Sequence, residues 1–242
     1  MKRIFNLIVL AFIVSANCLA QNRSRWFGYG DERNIVKIEL ASLLTNTVSF
    51  QYERELASNS SITVSMGIMT KGKMPFASYL ENKFAQAANL IVGKYSMMSG
   101  YRFYFSGEAF RGFYVSPFLK VAGSSIAIDY KFNVADEVKT IPLSGNIIGI
   151  TGGILVGAQF SLGNRFNLDL EIFGPHYGFS TGQLIGPLAL DVTEKGFLEK
   201  DLANLDLPII KTRSIVTSNG ASIKLSGPWL GVRSNVGIGY KF

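Results

Sequence analysis

The sequence contains one histidine and one cysteine, and this scarcity argues against several kinds of catalytic and metal site. A metal centre built on several histidines is disfavoured. A Ser-His-Asp centre with a spare base is disfavoured as well, because the chain has only one imidazole. Cys18 has no second cysteine with which to form an internal disulfide. We therefore predict a protein without a metal ion, without a cofactor and without enzymatic activity.

Long apolar runs are also scarce. After residue 20, no segment has the ~18–20 consecutive apolar residues that a membrane helix needs. The basic residues are scattered and follow no basic-aromatic motif, so nucleic acid is not an expected partner. No stretch resembles a linker, which indicates one domain after the amino-terminal segment.

The first twenty residues have the layout of a secretory signal peptide. Lys2 and Arg3 precede an apolar run over 4–14, and small residues follow up to Ala20. We predict a signal peptide at 1–20, a periplasmic segment at 21–33 and a barrel at 34–242. A lipid-modified Cys18 is the alternative, which Asn17 disfavours because a lipoprotein signal has a small residue at that position.

The hydrophobicity of the remaining chain comes in short pieces in which apolar and polar residues alternate. Eight such stretches lie at about 35–43, 48–56, 61–69, 97–105, 113–132, 148–161, 166–172 and 230–242. A membrane-crossing β-strand needs only ~9–11 residues with an apolar side chain at every second position. The sequence therefore predicts an all-β fold, an eight-stranded antiparallel up-and-down transmembrane barrel with short helices in its outer loops.

The charged residues of these strands decide which face points inward. Eight of them share the face that also carries small and polar residues: Lys37, Glu39, Glu53, Arg102, Lys120, Asp169, Glu171 and Arg233. In a soluble lipocalin-like barrel, this face would place ions in a dry core at a large cost in free energy. Four of the charges are basic and four acidic, so we predict a lumen charge network that forms a salt-bridged plug. A narrow ion-conducting pore is the open alternative.

The carboxy-terminal residues Asn235, Gly237, Tyr240 and Phe242 resemble the insertion signal of bacterial outer-membrane barrels. Such a signal implies the barrel-assembly machinery as a partner during insertion. Short connections follow strands two, four and six, whereas long loops are expected at 70–96, 133–145 and 180–227. We expect a multi-pass protein of the outer membrane of a Gram-negative bacterium, with both termini periplasmic and an aromatic girdle at the periplasmic rim.

Four pieces of the chain carry a family resemblance. They are residues 48–54 (VSFQYER), 100–105 (GYRFYF), 111–118 (RGFYVSPF) and 157–169, in which GAQF leads to NRFNLD. In these pieces the chain resembles the uncharacterised outer-membrane β-barrel domain family of Bacteroidetes. The resemblance implies a small eight-stranded barrel with no assigned activity.

His176 supports one enzymatic alternative. It lies at the outer end of strand seven, with Ser180 four residues on and Glu171 deeper on the same strand. An outer-membrane lipid-acyl hydrolase or transferase needs such a trio near the outer rim. Four residues of strand span ~13 Å, too far for a hydrogen bond unless the backbone turns. We therefore interpret His176 as an interfacial residue.

Two outer segments, 77–92 and 193–205, have amphipathic helical spacing, with Leu80 and Phe84 on one apolar face and Phe197, Leu198 and Leu202 on the other. Such helices could bind a protein partner, lie in the outer leaflet or simply cap the barrel mouth. The net charge of +7 is compatible with contacts to outer-membrane lipids and lipopolysaccharide. The predicted role is structural or interactive, as in a subunit of an envelope assembly.

Overall fold

The computed structural model describes residues 33–73, 90–135, 137–203 and 211–242. The predicted signal peptide at 1–20 lies outside the described residues. So do 21–32 of the predicted periplasmic segment and 77–89 of the first predicted helix. The second predicted helix is present as α1, Val192–Ala203.

The described chain contains nine β-strands and one α-helix. The strands are β1 (Asn34–Glu39), β2 (Thr47–Ala57), β3 (Ser60–Lys73), β4 (Ile91–Tyr104), β5 (Gly112–Val134), β6 (Glu137–Leu162), β7 (Phe166–Pro187), β8 (Lys211–Thr217) and β9 (Gly220–Lys241). Within the described ranges, no helix is long and apolar enough to cross a membrane.

Eight of these strands close into a ring. β1 to β7 pair in chain order, β9 follows β7, and β9 pairs with β1, all antiparallel. At the closing seam, Ile35 lies opposite Lys241 and Glu39 opposite Gly237. β8 stands outside the ring and pairs only with the first part of β9. The predicted eight-stranded antiparallel barrel is therefore confirmed, with an additional strand that the sequence did not predict.

The prediction of a long outer loop at 133–145 is wrong. β5 and β6 remain paired up to Val134 and Glu137, so only two residues separate the two strands. The reason is a change of polarity along an unbroken strand. On β6, Ile148 and Ile150 face outward and are exposed, whereas Ile141 and Leu143 face inward and are buried. The apolar residues thus change sides, and the pattern reads as an interruption although the pairing continues.

The prediction of a long loop at 180–227 is also wrong. β7 continues to Pro187, and α1, β8 and the start of β9 occupy most of the residues that follow up to 227. We call the described parts of 126–147 and 181–226 the outer extension. Buried side chains of its strands, of α1 and of the segment before α1 form an apolar core. They are Tyr130, Phe132, Ile141, Leu143, Leu184, Leu190, Leu198, Leu202, Val216, Ala221, Ile223 and Leu225. Phe197, predicted on the apolar face of the helix with Leu198 and Leu202, is exposed, whereas those two leucines are buried.

β1 is shorter than predicted and ends at Glu39. A 3-10 helix at Ala41–Thr45 replaces the predicted end of the strand, and Asn46 closes it in the left-handed region at φ 53°. The Ser42 hydroxyl donates to the carbonyl oxygens of Glu39 and Thr47, at 2.6 and 2.9 Å, which holds this tight connection. As a result, the barrel wall extends less far towards the outer extension at β1 and β2 than elsewhere, and we call this part the low wall. Among the described residues, 227–235 of β9 have a strand neighbour on one edge only.

Candidate functional site

The lower lumen, near the chain's carboxy terminus, holds a network of buried ions that inward positions of five strands contribute. Lys37 of β1 pairs with Glu53 of β2 and with Asp169 of β7. Because strand residues alternate between the two faces, each of these side chains points into the ring. The three groups are almost completely buried, which leaves each charge dependent on its partners.

Arg102 of β4 lies at the centre of the network. Its Nη1 lies 2.6 Å from Asp169 Oδ2 and 3.2 Å from Glu53 Oε2, and its Nη2 lies 3.2 Å from Glu171 Oε1. The Nη2 atom also donates to Gln51 Oε1 at 3.0 Å. One guanidinium therefore joins three carboxylates, a geometry that its planar fork of donors suits.

Arg233 of β9 extends the network upward. Its Nη2 lies 2.5 Å from Glu39 Oε1 and its Nε lies 2.6 Å from Glu171 Oε2. Since Glu171 also contacts Arg102, seven of the eight charges predicted in the lumen form one continuous chain of ion pairs. Lys120 is the exception, and within the described ranges it makes no ion pair. We call the seven residues the ion cluster: Lys37, Glu39, Glu53, Arg102, Asp169, Glu171 and Arg233.

Two tyrosines complete the ion cluster, and their role was not predicted. The Tyr104 hydroxyl donates to Glu53 Oε1 at 2.5 Å, and the Tyr114 hydroxyl donates to Asp169 Oδ1 at 2.8 Å. The Tyr114 ring also lies 4.2 Å from Arg102 Cζ, a cation–π distance. A β-carbon at Gly157 would lie 2.3 Å from the Tyr114 hydroxyl, so only glycine admits this tyrosine. Both tyrosines occupy inward positions of their strands, and this alternation was the signal that could have identified them.

Above the ion cluster, the lumen opens into a cavity of about 510 Å³, which we call the lumen cavity. Arg233 and Glu39 lie at its lower side, and hydroxyl groups of several strands line its wall. Lys120, His176, Ser180, Trp229 and Asn235 also line it. The cavity thus lies between a charged lower lumen and the apolar core of the outer extension. Within the described ranges, no cluster of His, Cys, Asp and Glu has the grouping of a metal site.

The three residues of the enzymatic alternative do not form a catalytic relay. Ser180 donates to the carbonyl of Gly227 at 3.4 Å, and Glu171 is engaged with two arginines. The His176 ring packs edge-on against Phe118, with 6.0 Å between ring centroids. His176 and Ser180 therefore share the lumen cavity, while Glu171 belongs to the ion cluster below it.

The four residues predicted as an insertion signal lie on both faces of β9. Asn235 is buried and lines the lumen cavity, and Gly237 lies opposite Asp169. Tyr240 faces outward and packs edge-on against Phe166 at 5.8 Å. The Phe242 backbone exchanges hydrogen bonds with Asn34 at 2.8 and 3.0 Å.

The chain belongs to a family described as "Protein of unknown function (DUF3575)", whose model matches residues 7–181. No curated protein matches the chain. The family membership therefore supplies no activity, and the role has to be argued from the site itself.

Two solved structures resemble the chain at 12% sequence identity. One is a major outer membrane protein from Thermus thermophilus, with a TM-score of 0.37 over 88% of this chain and 100% of that one. The other is the translocator domain of autotransporter NalP from Neisseria meningitidis, with a TM-score of 0.31 over 100% of this chain and 97% of that one.

Proposed function

We propose that this chain is an integral outer-membrane barrel of a Gram-negative bacterium, with a structural or interaction role in the cell envelope. The observation that carries the proposal is the polarity of the wall. Its outward face is apolar around the ring, with Leu119, Ile154 and Phe179 more than half exposed, while its lumen is ionic. Exposed apolar surface on this scale is rare in proteins that face water on all sides, and lipid would cover it here.

The outward apolar surface has the borders that a membrane requires. On β6 and β7, outward positions are apolar from Ile148 and Phe179 downward and become polar at Asn146 and Thr181. Exposed aromatic residues lie at both borders: Tyr95, Tyr177 and Phe179 above, and Phe103, Phe105, Phe113, Phe160, Phe166, Tyr240 and Phe242 below. Such girdles mark the two interfaces of a bilayer, where outer-membrane lipids and lipopolysaccharide would make contact.

The proposed orientation has both ends of the barrel chain in the periplasm. The turns on the side of the termini are short, at 58–59, 105–111 and 163–165. The outer extension lies on the opposite side and would project from the cell. This is the direction in which outer-membrane barrels carry their longer segments. The Gram-negative host and the assembly machinery follow the resemblance to the Bacteroidetes barrels.

The ion cluster favours a sealed barrel without enzymatic activity. An eight-stranded ring has an interior just wide enough for its own side chains, and here they are paired ions and tyrosines. The Glu171 carboxylate, the acid of the enzymatic alternative, is engaged with Arg102 and Arg233. These contacts support a plug in preference to an ion path or a catalytic centre.

The outer extension supports an interaction role. Its apolar core is buried, yet Val138, Ile185, Val192, Phe197 and Ile215 leave large apolar side chains exposed above the proposed membrane border. Side chains of this kind, carried on paired strands and a packed helix, suit contacts with another envelope protein. This supports the proposal of a subunit in an envelope assembly.

Charge substitutions on the outward face test the membrane proposal. Ile154→Arg places a charge in the middle of the apolar surface, where the side chain is 57% exposed. Arginine at this depth destabilises a membrane barrel by about 2–4 kcal/mol. Ser144→Arg, outward on the same strand but in the outer extension, is the matched control and is expected to cost less than about 1 kcal/mol. Urea unfolding in lipid vesicles measures both, and equal stability of the two variants would contradict membrane insertion.

A further inference from the structure

The lining of the lumen cavity includes two lysines, Lys94 and Lys120, that make no ion pair with any described residue. The acid in its lining, Glu39, is already paired with Arg233. Lys120 lies deep in the cavity opposite Met98, whereas Lys94 lies opposite Ser124, higher on the same pair of strands, β4 and β5. The cavity therefore presents two ammonium groups that have no ion-pair partner in the described part of the chain, one near the mouth and one near the floor.

Two buried polar atoms in the same cavity have no hydrogen-bond partner among the described residues. They are His176 Nδ1 and Asn235 Oδ1, in residues that are 8% and 7% exposed. A buried group without a partner costs free energy, so such atoms point to something that binds them. Asn235 Oδ1 accepts a hydrogen bond, which a hydroxyl group of a ligand supplies.

His176 is held close to the wall of the cavity. A β-carbon at Gly231 would lie 2.6 Å from the imidazole Cε1 and Nε2, so glycine at this position gives the ring its place. Lys120 and Arg233 line the same cavity as the ring. Cationic and hydrogen-bonding groups from β5, β7 and β9 therefore converge on one region, the arrangement that recognises an anion bearing hydroxyl groups.

The cavity adjoins the place where the barrel wall is low. β1 ends at Glu39, β2 begins at Thr47, and residues 227–235 of β9 lack a strand neighbour on that edge among the described residues. The 3-10 helix between β1 and β2 contributes Ala41, Ser42 and Thr45 to the cavity lining. Four large apolar side chains near this low wall are exposed: Leu43, Leu44, Leu230 and Val232.

We propose that the lumen cavity binds the phosphate-bearing, hydroxylated headgroup of a lipid that enters sideways from the bilayer, over the low wall at β1 and β2. The phosphate pairs with Lys120, and hydroxyl groups of the headgroup reach His176 and Asn235. The acyl chains stay outside, against Leu43, Leu44 and Leu230. A volume of about 510 Å³ accommodates a headgroup of this size. This inference rests on the proposed membrane location, because the bilayer delivers the lipid.

Trp229 provides a local readout, because it lines the cavity and Trp26 is the only other tryptophan. The full chain with Trp26→Phe, in detergent micelles, is titrated with dihexanoyl phosphatidylglycerol while the Trp229 fluorescence is recorded. A saturable change is expected. Lys120→Gln and His176→Leu each weaken the apparent affinity by about tenfold, the usual effect of losing a charge-assisted or buried hydrogen bond. Lys224→Gln, an exposed lysine of the outer extension, is the matched control and leaves binding unchanged.

Two further ligands separate the sources of the phosphate. Glycerol 3-phosphate, which lacks acyl chains, is expected to bind at least about tenfold more weakly, and equal affinity would overturn entry from the bilayer. Dihexanoyl phosphatidylcholine, which lacks headgroup hydroxyls, is expected to bind more weakly as well, and equal affinity would overturn headgroup recognition. Unchanged binding by Lys120→Gln with an unaltered melting temperature would overturn the site. None of these results depends on the Ile154→Arg comparison, which tests membrane insertion separately.

Discussion

At the scale of single residues, the charges of the lower lumen are stable only as members of a set. Moving an ion out of water costs several kcal/mol, and an oppositely charged partner recovers this only with good geometry and further hydrogen bonds. Asp169 meets both conditions through Lys37, Arg102 and the Tyr114 hydroxyl. The ion cluster has four carboxylates and three cations, so removing one cation leaves two cations for four buried acids.

Arg102→Leu tests this dependence. The guanidinium is 1% exposed and joins Glu53, Asp169 and Glu171, so its loss is expected to destabilise the folded barrel by about 3–5 kcal/mol. Arg111→Leu is the matched control, because Arg111 pairs with Glu108 on the surface and its loss should cost under about 1 kcal/mol. Urea unfolding in lipid vesicles measures both variants. Similar losses in the two would show that the ion cluster is not a stabilising unit.

At the scale of elements, α1 begins with a reciprocal cap. The Glu194 backbone N–H donates to Asp191 Oδ1 at 2.7 Å, and the Asp191 backbone N–H donates to Glu194 Oε2 at 2.9 Å. This capping box satisfies amides that the first turn of a helix leaves without partners. The helix then buries Leu198 and Leu202 in the core of the outer extension. Local capping and tertiary packing therefore fix the same element.

Asp191→Ala should loosen the start of α1. The loss of an N-terminal cap costs about 0.5–2 kcal/mol, so the amides of the first helical turn are expected to exchange hydrogen faster. Glu199→Ala, an exposed position of the same helix, is the control and should leave those amides unchanged. Hydrogen–deuterium exchange with mass spectrometry measures the exchange of the first helical turn in both variants. Unchanged exchange in the first turn of Asp191→Ala would mean that packing alone holds the helix.

The strands show how much of this fold can be predicted from sequence. Alternation predicts all eight ring strands, because an apolar outward face and a polar lumen impose a period of two residues. The same rule fails in the outer extension, where the outward face is largely polar and an apolar core lies inside, as Lys131 and Phe132 of β5 illustrate. β8 was missed for this reason. The approach of Lys37 to Asp169 could not be predicted either, because it depends on the registers of strands that are far apart in the sequence.

At the scale of the whole molecule, the barrel is layered from one end to the other. Paired ions fill the lower lumen, the lumen cavity lies above them, and an apolar core closes the outer extension. In the proposed membrane location, lipid would cover the lower two layers and water the third. A continuous aqueous path through the described lumen would have to pass between Lys37, Arg102 and their carboxylate partners.

Planar-bilayer recording tests the seal. The purified chain is expected to give no steady conductance steps, because the side chains of an eight-stranded ring fill its interior. Substituting Arg102, Glu53 and Asp169 together by serine removes the centre of the ion cluster and should produce measurable current if the protein still folds. Steady, ion-selective steps from the unmodified protein would overturn the plug and favour the narrow pore.

The ion cluster also has a consequence for assembly. Lys37 belongs to β1 and Asp169 to β7, on either side of β9, and Glu39 reaches Arg233 across the seam where β1 meets β9. Adjacent strands of an open sheet can form the Lys37–Glu53 and Glu171–Arg233 pairs, but the Lys37–Asp169 and Glu39–Arg233 pairs need the first and last strands of the ring to have met. Closure therefore completes the charge compensation, which makes the ring cooperative: in an open sheet of the same strands, the Glu39 carboxylate would lack Arg233 and the Asp169 carboxylate would lack Lys37.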